Sequence, residues 1–255
     1  MARPVKRIVL KFGTGILTTP EASTLDRGQI DRLSSEVAAA VCGGYECLLV
    51  SSGAVGAGLM ALGYGERPKD LAGIQACAAV GQSRLMNLYE TAFASHGLLV
   101  AQLLLTYRDL DSRKSYANAG NTLNRLLAEE KVVPIINEND SVAVEELRFG
   151  DNDRLSAEVA MLAKADLLIL LTSAEGLLNN GELVREVTDI DSVMQYAKPT
   201  KGKLSVGGMG SKLLAVKKAV LAGIPTVIAS GRAPHVITSI LKGEAVGTRF
   251  HVKEA

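Results

Sequence analysis

The sequence predicts an α/β fold with a mainly parallel central sheet and helices on both of its faces. Three observations predict it. Six short apolar runs recur along the chain, helical periodicity fills the intervals, and glycine or acid–amide clusters follow most of the runs. Continuous rather than alternating apolarity suits strands buried on both faces, and strand–helix alternation implies βαβ units.

The elements follow in order. RIVLKF (7–12) reads as a first strand. Ile30, Leu33, Val37 and Val41 then mark one face of a helix that Gly43-Gly44 stops. ECLLV (46–50) is a second strand, and Leu85, Leu88 and Tyr89 begin the next helical face. LLVAQLLL (98–105) and KVVPII (131–136) are strands around a helix marked by Leu123, Leu126 and Leu127. VAVEELRFG (142–150) alternates and reads as a hairpin beside the sheet. Leu155, Val159 and Leu162 precede the strand DLLILL (166–171). Leu213, Val216, Val220 and Leu221 precede the strand PTVIA (225–229). There is no repeat and no linker-like stretch, so residues 1–255 read as one domain.

Composition narrows the function. With 28 basic and 27 acidic residues the net charge is +1, which asks for neither a nucleic acid nor an anionic membrane. Trp is absent and aromatics are 4%, which argues against stacking platforms for single strands. No apolar stretch reaches the roughly 20 residues of a spanning helix, and the basic N-terminus is broken at Lys11, unlike a leader or anchor. Cys42, Cys47 and Cys77 are odd in number with no C-x-x-C, so free thiols in a reducing, cytoplasmic setting are expected.

In open α/β sheets ligands bind beyond the carboxyl ends of the strands. Those ends carry Lys11-Phe12-Gly13, Ser51-Ser52-Gly53-Ala54, Asn137-Glu138-Asn139-Asp140 and Thr172-Ser173, and the hairpin returns into Gly150-Asp151-Asn152-Asp153. Further on, SVGGMGSK (205–212) leads into a helix. It is not a P-loop, because G-x-x-x-x-G-K-[ST] places lysine before the hydroxyl. Each element also has a plainer reading: a lysine that snorkels to solvent, a tight strand–helix turn, and Asn/Asp turn chemistry. His96, His235 and His251 are scattered, and no G-x-S-x-G is present. Two lysines beside glycine loops, acid–amide clusters and no histidine base suit phosphoryl transfer, which rests on positioning and charge neutralisation. A carboxylate acceptor is already ionised at neutral pH and needs no base, although an aspartate could also serve as one.

VLKFGTGILT, VSSGAVGAG, GQSRLMNLYE, NENDSV, RFGDND, LLLTSAEGL and VGGMGSKL occur in this order. In this the chain resembles the amino acid kinase family, and within it the branch that phosphorylates glutamate, from about Lys6 to about Phe250. The resemblance implies a three-layer α/β/α sandwich. It implies transfer of the ATP γ-phosphoryl group, with Mg²⁺, to the side-chain carboxylate of L-glutamate, the first step of proline biosynthesis. Lys11 and Lys212 would steady the phosphoryl group, and Asp153 would orient them. Ser52, Gly53, Ala54, Asn137, Asp140 and Asn152 would form the glutamate site. Lys11, Gly13, Thr172, Ser173 and the loop Val206, Gly207, Gly208, Met209, Gly210, Ser211 and Lys212 would form the nucleotide site. Gly13 and Gly53 stand where backbone amides approach phosphates. The metal would be carried mainly by the nucleotide.

Feedback inhibition by L-proline and a homo-oligomer are also implied. Ser173 and Val206 depart from the family's usual aspartate and threonine, which bears on nucleotide preference. The RNA-binding-type PUA module that follows the kinase domain in many bacterial members is not expected here.

Three alternatives remain at this point. One is a family member acting on acetylglutamate, aspartate or a phosphate acceptor. Another is a non-catalytic amino-acid sensor on the same fold. The third is a nicotinamide-dependent dehydrogenase, because Gly56-Ala57-Gly58-Leu59-Met60-Ala61 fits G-x-G-x-x-A.

Overall fold

The computed structural model describes residues 4–19, 24–143, 152–197 and 208–253. The expected hairpin at 142–150 therefore lies almost wholly outside the described residues, as do Val206 and Gly207.

In chain order the elements are β1 (Arg7–Phe12), α1 (Thr14–Leu17), α2 (Arg27–Cys42), β2 (Glu46–Val50), α3 (Ala54–Ala61), α4 (Leu71–Ala94) and β3 (Leu99–Leu105). Then come α5 (Tyr107–Asp111), α6 (Arg113–Leu127), β4 (Val132–Glu138), α7 (Asn152–Leu162) and β5 (Leu167–Thr172). The last are β6 (Leu178–Asn179), β7 (Glu182–Leu183), β8 (Glu186–Val187), α8 (Ile190–Val193), α9 (Met209–Leu221), β9 (Thr226–Ser230), α10 (Val236–Leu241) and β10 (Thr248–Phe250).

Eight strands form one sheet in the order β3-β4-β2-β1-β5-β9-β10-β8. The first six run parallel, and β10 is antiparallel to β9. From β1 the chain builds towards β2, β3 and β4, then returns to add β5 and β9 on the other side. The order thus reverses beside β1, which makes the carboxyl end of β1 the switch point where such sheets bind ligands.

Period-two alternation feeds two cores. Ile8, Leu10 and Phe12 face one core, shared with α2, α4 and α10. Val9 faces the other, shared with α7 and α9. Both are sealed, which explains why the sequence shows unbroken apolar runs instead of alternation. The arrangement is the expected three-layer sandwich.

Local chemistry sets the helix ends. Asp26 accepts from the Gln29 N–H and Asp70 from the Gly73 N–H, capping α2 and α4. Gly44, at φ 91°, turns the chain out of α2 in the left-handed region. The long α4 reaches across α3 at closest approach through glycines. A Cβ on Gly81 would fall on the Ala54 carbonyl oxygen, and one on Gly58 on the Cys77 carbonyl oxygen. Gly58 therefore serves helix packing, and the G-x-G-x-x-A match lies inside α3 and not in a strand-to-helix turn.

Two expectations need correction. β3 is not buried on both faces: it is the sheet edge, and Leu99 is 66% exposed. Leu221 does not join the buried face of α9, being 73% exposed in the last turn while Leu213, Val216 and Val220 are buried.

Candidate active site

The carboxyl edge of the sheet gathers a charged cluster. Lys11 pairs in register with Val50 on one side and Leu170 on the other, at the centre of the sheet. Asp153 lies in the first turn of α7, with no exposure to solvent. Lys212 lies in the first turn of α9. The Asp153 carboxylate takes both lysines: Lys11 Nζ lies 2.6 Å from Oδ1, and Lys212 Nζ lies 3.0 Å from Oδ2. Ser211 Oγ also donates to Oδ2, at 2.9 Å. Burial alone would push the Asp153 carboxyl up, but the two ammonium charges and their hydrogen bonds more than offset it, so it is held below the usual carboxylate value. Three ionised side chains from separate elements are thus fixed in one buried place. An ammonium carries three N–H donors, so a lysine held by a carboxylate can also bind a phosphate oxygen.

Next to the cluster runs a chain of amides. Asn152 Nδ2 donates its two N–H groups to the Ser51 carbonyl at 2.6 Å and Asn137 Oδ1 at 2.9 Å, and also lies 3.1 Å from Ser52 Oγ. Asn137 Oδ1 also accepts from the Glu138 N–H at 2.9 Å, while Asn137 Nδ2 donates to Gln82 Oε1 at 2.7 Å. Ser52, Asn137 and Asn152, three of the expected substrate residues, are therefore in one network. Asp140 lines a cavity of about 260 Å³ beside it, together with Ala54, Gln82, Gln102 and Glu138. Gly53, the N-cap of α3 at φ 101°, allows the sharp entry of the chain into that helix.

The nucleotide half is looser. Gly13 donates its N–H to the Leu171 carbonyl at 3.2 Å, and a Cβ there would stand 3.4 Å from Lys11 Nζ. Thr172 is half-buried at the end of β5, in register with Ser230, and Ser173 is exposed next to Gly15. Gly208 caps α9 without a side-chain partner, and Met209, Gly210, Ser211 and Lys212 form its first turn. No histidine joins the cluster: His235 precedes α10, and His251 pairs with Glu186 on the outermost strand.

Two residues of this edge were given no role from the sequence. Gln82 sits directly after Gly81, and an isolated glycine inside a helical pattern signals a close backbone approach. Ser51 shares a buried 2.8 Å hydrogen bond with the Tyr89 hydroxyl. That hydroxyl reaches the strand end from the helical face that Tyr89 marks.

A mainly parallel sheet with a switch point and two lysines on one buried aspartate suit phosphoryl transfer without a P-loop. A family model described as Amino acid kinase family matches residues 6–230. The Glutamate 5-kinase of Geobacter sp. (strain M21) is 44% identical over 98% of this chain and 69% of its own length. That of Carboxydothermus hydrogenoformans is 45% identical over the same shares. A solved Giardia carbamate kinase superposes with a TM-score of 0.68 at 18% identity, covering 98% of this chain and 99% of its own. The chain belongs to the amino acid kinase family.

Proposed function

We propose that this kinase transfers the γ-phosphoryl group of ATP to the side-chain carboxylate of L-glutamate. The products are L-glutamyl 5-phosphate and ADP, at the first step of proline biosynthesis. The observation that carries the reading is the convergence of Lys11 and Lys212 on Asp153, in a chain 44% identical to a protein named Glutamate 5-kinase.

A carboxylate oxygen of glutamate attacks the γ-phosphorus. The bond from that phosphorus to the β,γ-bridging oxygen breaks, and its electron pair leaves with ADP. No proton has to move, in keeping with a site that no histidine enters among the described residues. Lys11 from β1 and Lys212 from α9 meet the phosphoryl group from opposite sides, and Asp153 keeps both aimed. Ser52, Gly53, Ala54, Asn137, Asp140 and Asn152 hold the amino acid. Gly13, Thr172, Ser173 and the loop 206–212 hold the nucleotide. Among the described residues no trio of His, Cys, Asp or Glu is placed to hold a metal. We assign Mg²⁺ mainly to the nucleotide phosphates, whose charge it would neutralise. We read residues 1–255 as one kinase domain acting as a homo-oligomer in the cytoplasm, inhibited by L-proline at a site overlapping that of glutamate. No helix among the described residues is long and apolar enough to cross a membrane.

The test is ADP release with hydroxylamine trapping across L-glutamate, aspartate, acetylglutamate and UMP. L-Glutamate should give the trapped acyl phosphate at the highest rate, and added glutamate should relieve inhibition by proline. Equal or better turnover of another acceptor would move the chain elsewhere in its family. No turnover of any acceptor would favour a sensor.

A further inference from the structure

The amide chain has a direction, and the direction can be read. A backbone N–H can only donate, so the bond from the Glu138 N–H fixes which atom of Asn137 is the oxygen. Asn137 must then present its NH₂ to Gln82, and Gln82 must answer with its oxygen, at 2.7 Å. The Gln82 NH₂ is thereby turned away from Asn137. It is buried, and Nε2 has no hydrogen-bond partner among the described residues. At the other end, the Ser51 carbonyl fixes the NH₂ of Asn152, and Asn152 Oδ1 is likewise buried without a partner. A buried donor left unmade costs free energy, so a protein keeps one where a ligand completes it.

Gln82 lines the cavity that Asp140 also lines, whereas Lys11, Asp153 and Lys212 do not. An amino acid whose reacting carboxylate lies against the lysines would extend its other end into this cavity. There it presents an ammonium, suited to the Asp140 carboxylate, and a second carboxylate, suited to a neutral N–H donor. An amide NH₂ cannot accept from an ammonium, so only the carboxylate is left for it. Gly81 makes the placement possible: lacking a Cβ, it lets α4 lie against the Ala54 carbonyl, and this lowers the next residue onto the strand ends.

From this we infer that Gln82 is a specificity-determining residue, donating a hydrogen bond from Nε2 to the non-reacting carboxylate of the amino-acid substrate. The inference rests on the glutamate reading above.

Two variants separate this role from mere support of Asn137. Gln82→Glu keeps the oxygen that Asn137 needs and replaces the donor by a charge that repels a carboxylate. Gln82→Met removes both. The KM for L-glutamate should rise on the order of 10²-fold in Gln82→Glu and about 10-fold in Gln82→Met. The KM for ATP and kcat should stay within about threefold of the parent, as for lost uniform binding. If Gln82 only held Asn137, the order would reverse, with Gln82→Met the worse and Gln82→Glu near normal; that result overturns the inference. Equal loss in KM for ATP and in kcat would also overturn it. Should Gln82→Glu fail a cooperative melt, 4-aminobutyrate, which lacks the non-reacting carboxylate, decides: Gln82→Met should leave its kcat/KM within about threefold of the parent, whereas a loss as large as that for L-glutamate overturns the inference. Wild-type turnover of glutamate tests the underlying reading separately, because it does not depend on either variant.

Discussion

The charged cluster and the amide chain lie side by side at the same sheet edge, yet they are built on opposite rules. Around Asp153 charges meet charges, and both carboxylate oxygens are taken by lysines. Along Gln82, Asn137 and Asn152 no charge takes part, and a donor and an acceptor are left over at the two ends. The first region is suited to charge that builds up in a transition state, the second to the fixed outline of a bound molecule. Damage to the first should therefore appear in kcat, and damage to the second in KM for the amino acid.

The largest effect is expected from Asp153→Asn. Removing the carboxylate leaves two buried ammonium groups without it, and breaking a buried pair in this way typically costs about 3–5 kcal/mol. Its pH dependence has a definite sign. The folded carboxyl is held below its ordinary value, so its contribution is complete above that value and is lost only as the pH falls through the lower, folded one. Thermal melts against pH should show the parent losing stability in strong acid and the variant missing that component. A variant as stable as the parent at neutral pH would mean that the cluster is not held together by this carboxylate.

Lys11→Met and Lys212→Met come next. Each keeps the apolar stem and removes one charge. By analogy with the loss of a preorganised oxyanion donor, kcat should fall on the order of 10²- to 10³-fold, or about 3–4 kcal/mol, with smaller changes in KM. Arginine should not restore the rate fully, because a planar fork does not reproduce a point charge. Well-folded variants with near-normal turnover would remove the functional contrast between the two regions.

Gly81→Ala attacks the other region through its support. The added methyl would fall on backbone atoms of α3, the Ala54 carbonyl and the Gly58 nitrogen, so α4 must shift away from α3. Overpacking of this kind costs about 1–3 kcal/mol. Because Gln82 moves with it, KM for glutamate should rise while KM for ATP holds. Equal change in both would show that the amide chain is not a separate unit.

How much of this was legible follows from the same contrast. That Lys11, Asp153 and Lys212 meet at one place was expected through the family resemblance, because the residues alone left a snorkelling lysine and turn chemistry open. Five of the six main strands were readable because burial on two faces writes unbroken apolar runs. Gln82 was not readable, because its meaning depends on hydrogen-bond direction and on a helix crossing that only the packed α3–α4 pair reveals. The edge position of β3 was hidden too, since Leu99-Val100-Ala101 is as apolar as any interior strand. The β6–β7 hairpin could have been found: Asn180 and Gly181 both have positive φ, the usual signature of Asn-Gly between short strands.

The smallest effect is expected where the two regions share a buttress. Tyr89 reaches down from α4 and meets Ser51 Oγ at 2.8 Å, with both side chains sealed from water. The Ser51 carbonyl holds Asn152, which is the residue before Asp153. Tyr89→Phe removes one buried hydrogen bond and leaves the packing against Phe93 in place. The Ser51 hydroxyl keeps the Ser52 carbonyl as an acceptor at 3.3 Å, so it is not stranded. The loss should be about 1 kcal/mol, seen as a fall in Tm of about 2–4 °C. The Ser51 carbonyl is held independently, since the Ser51 N–H donates to the Ile136 carbonyl at 2.9 Å within the sheet. Asn152 should then stay in place, with kcat and both KM values within about threefold of the parent. A kcat lowered tenfold or more would mean that strain at Ser51 passes through Asn152 into the Asp153 cluster. The charged cluster and the amide chain would then act as one unit.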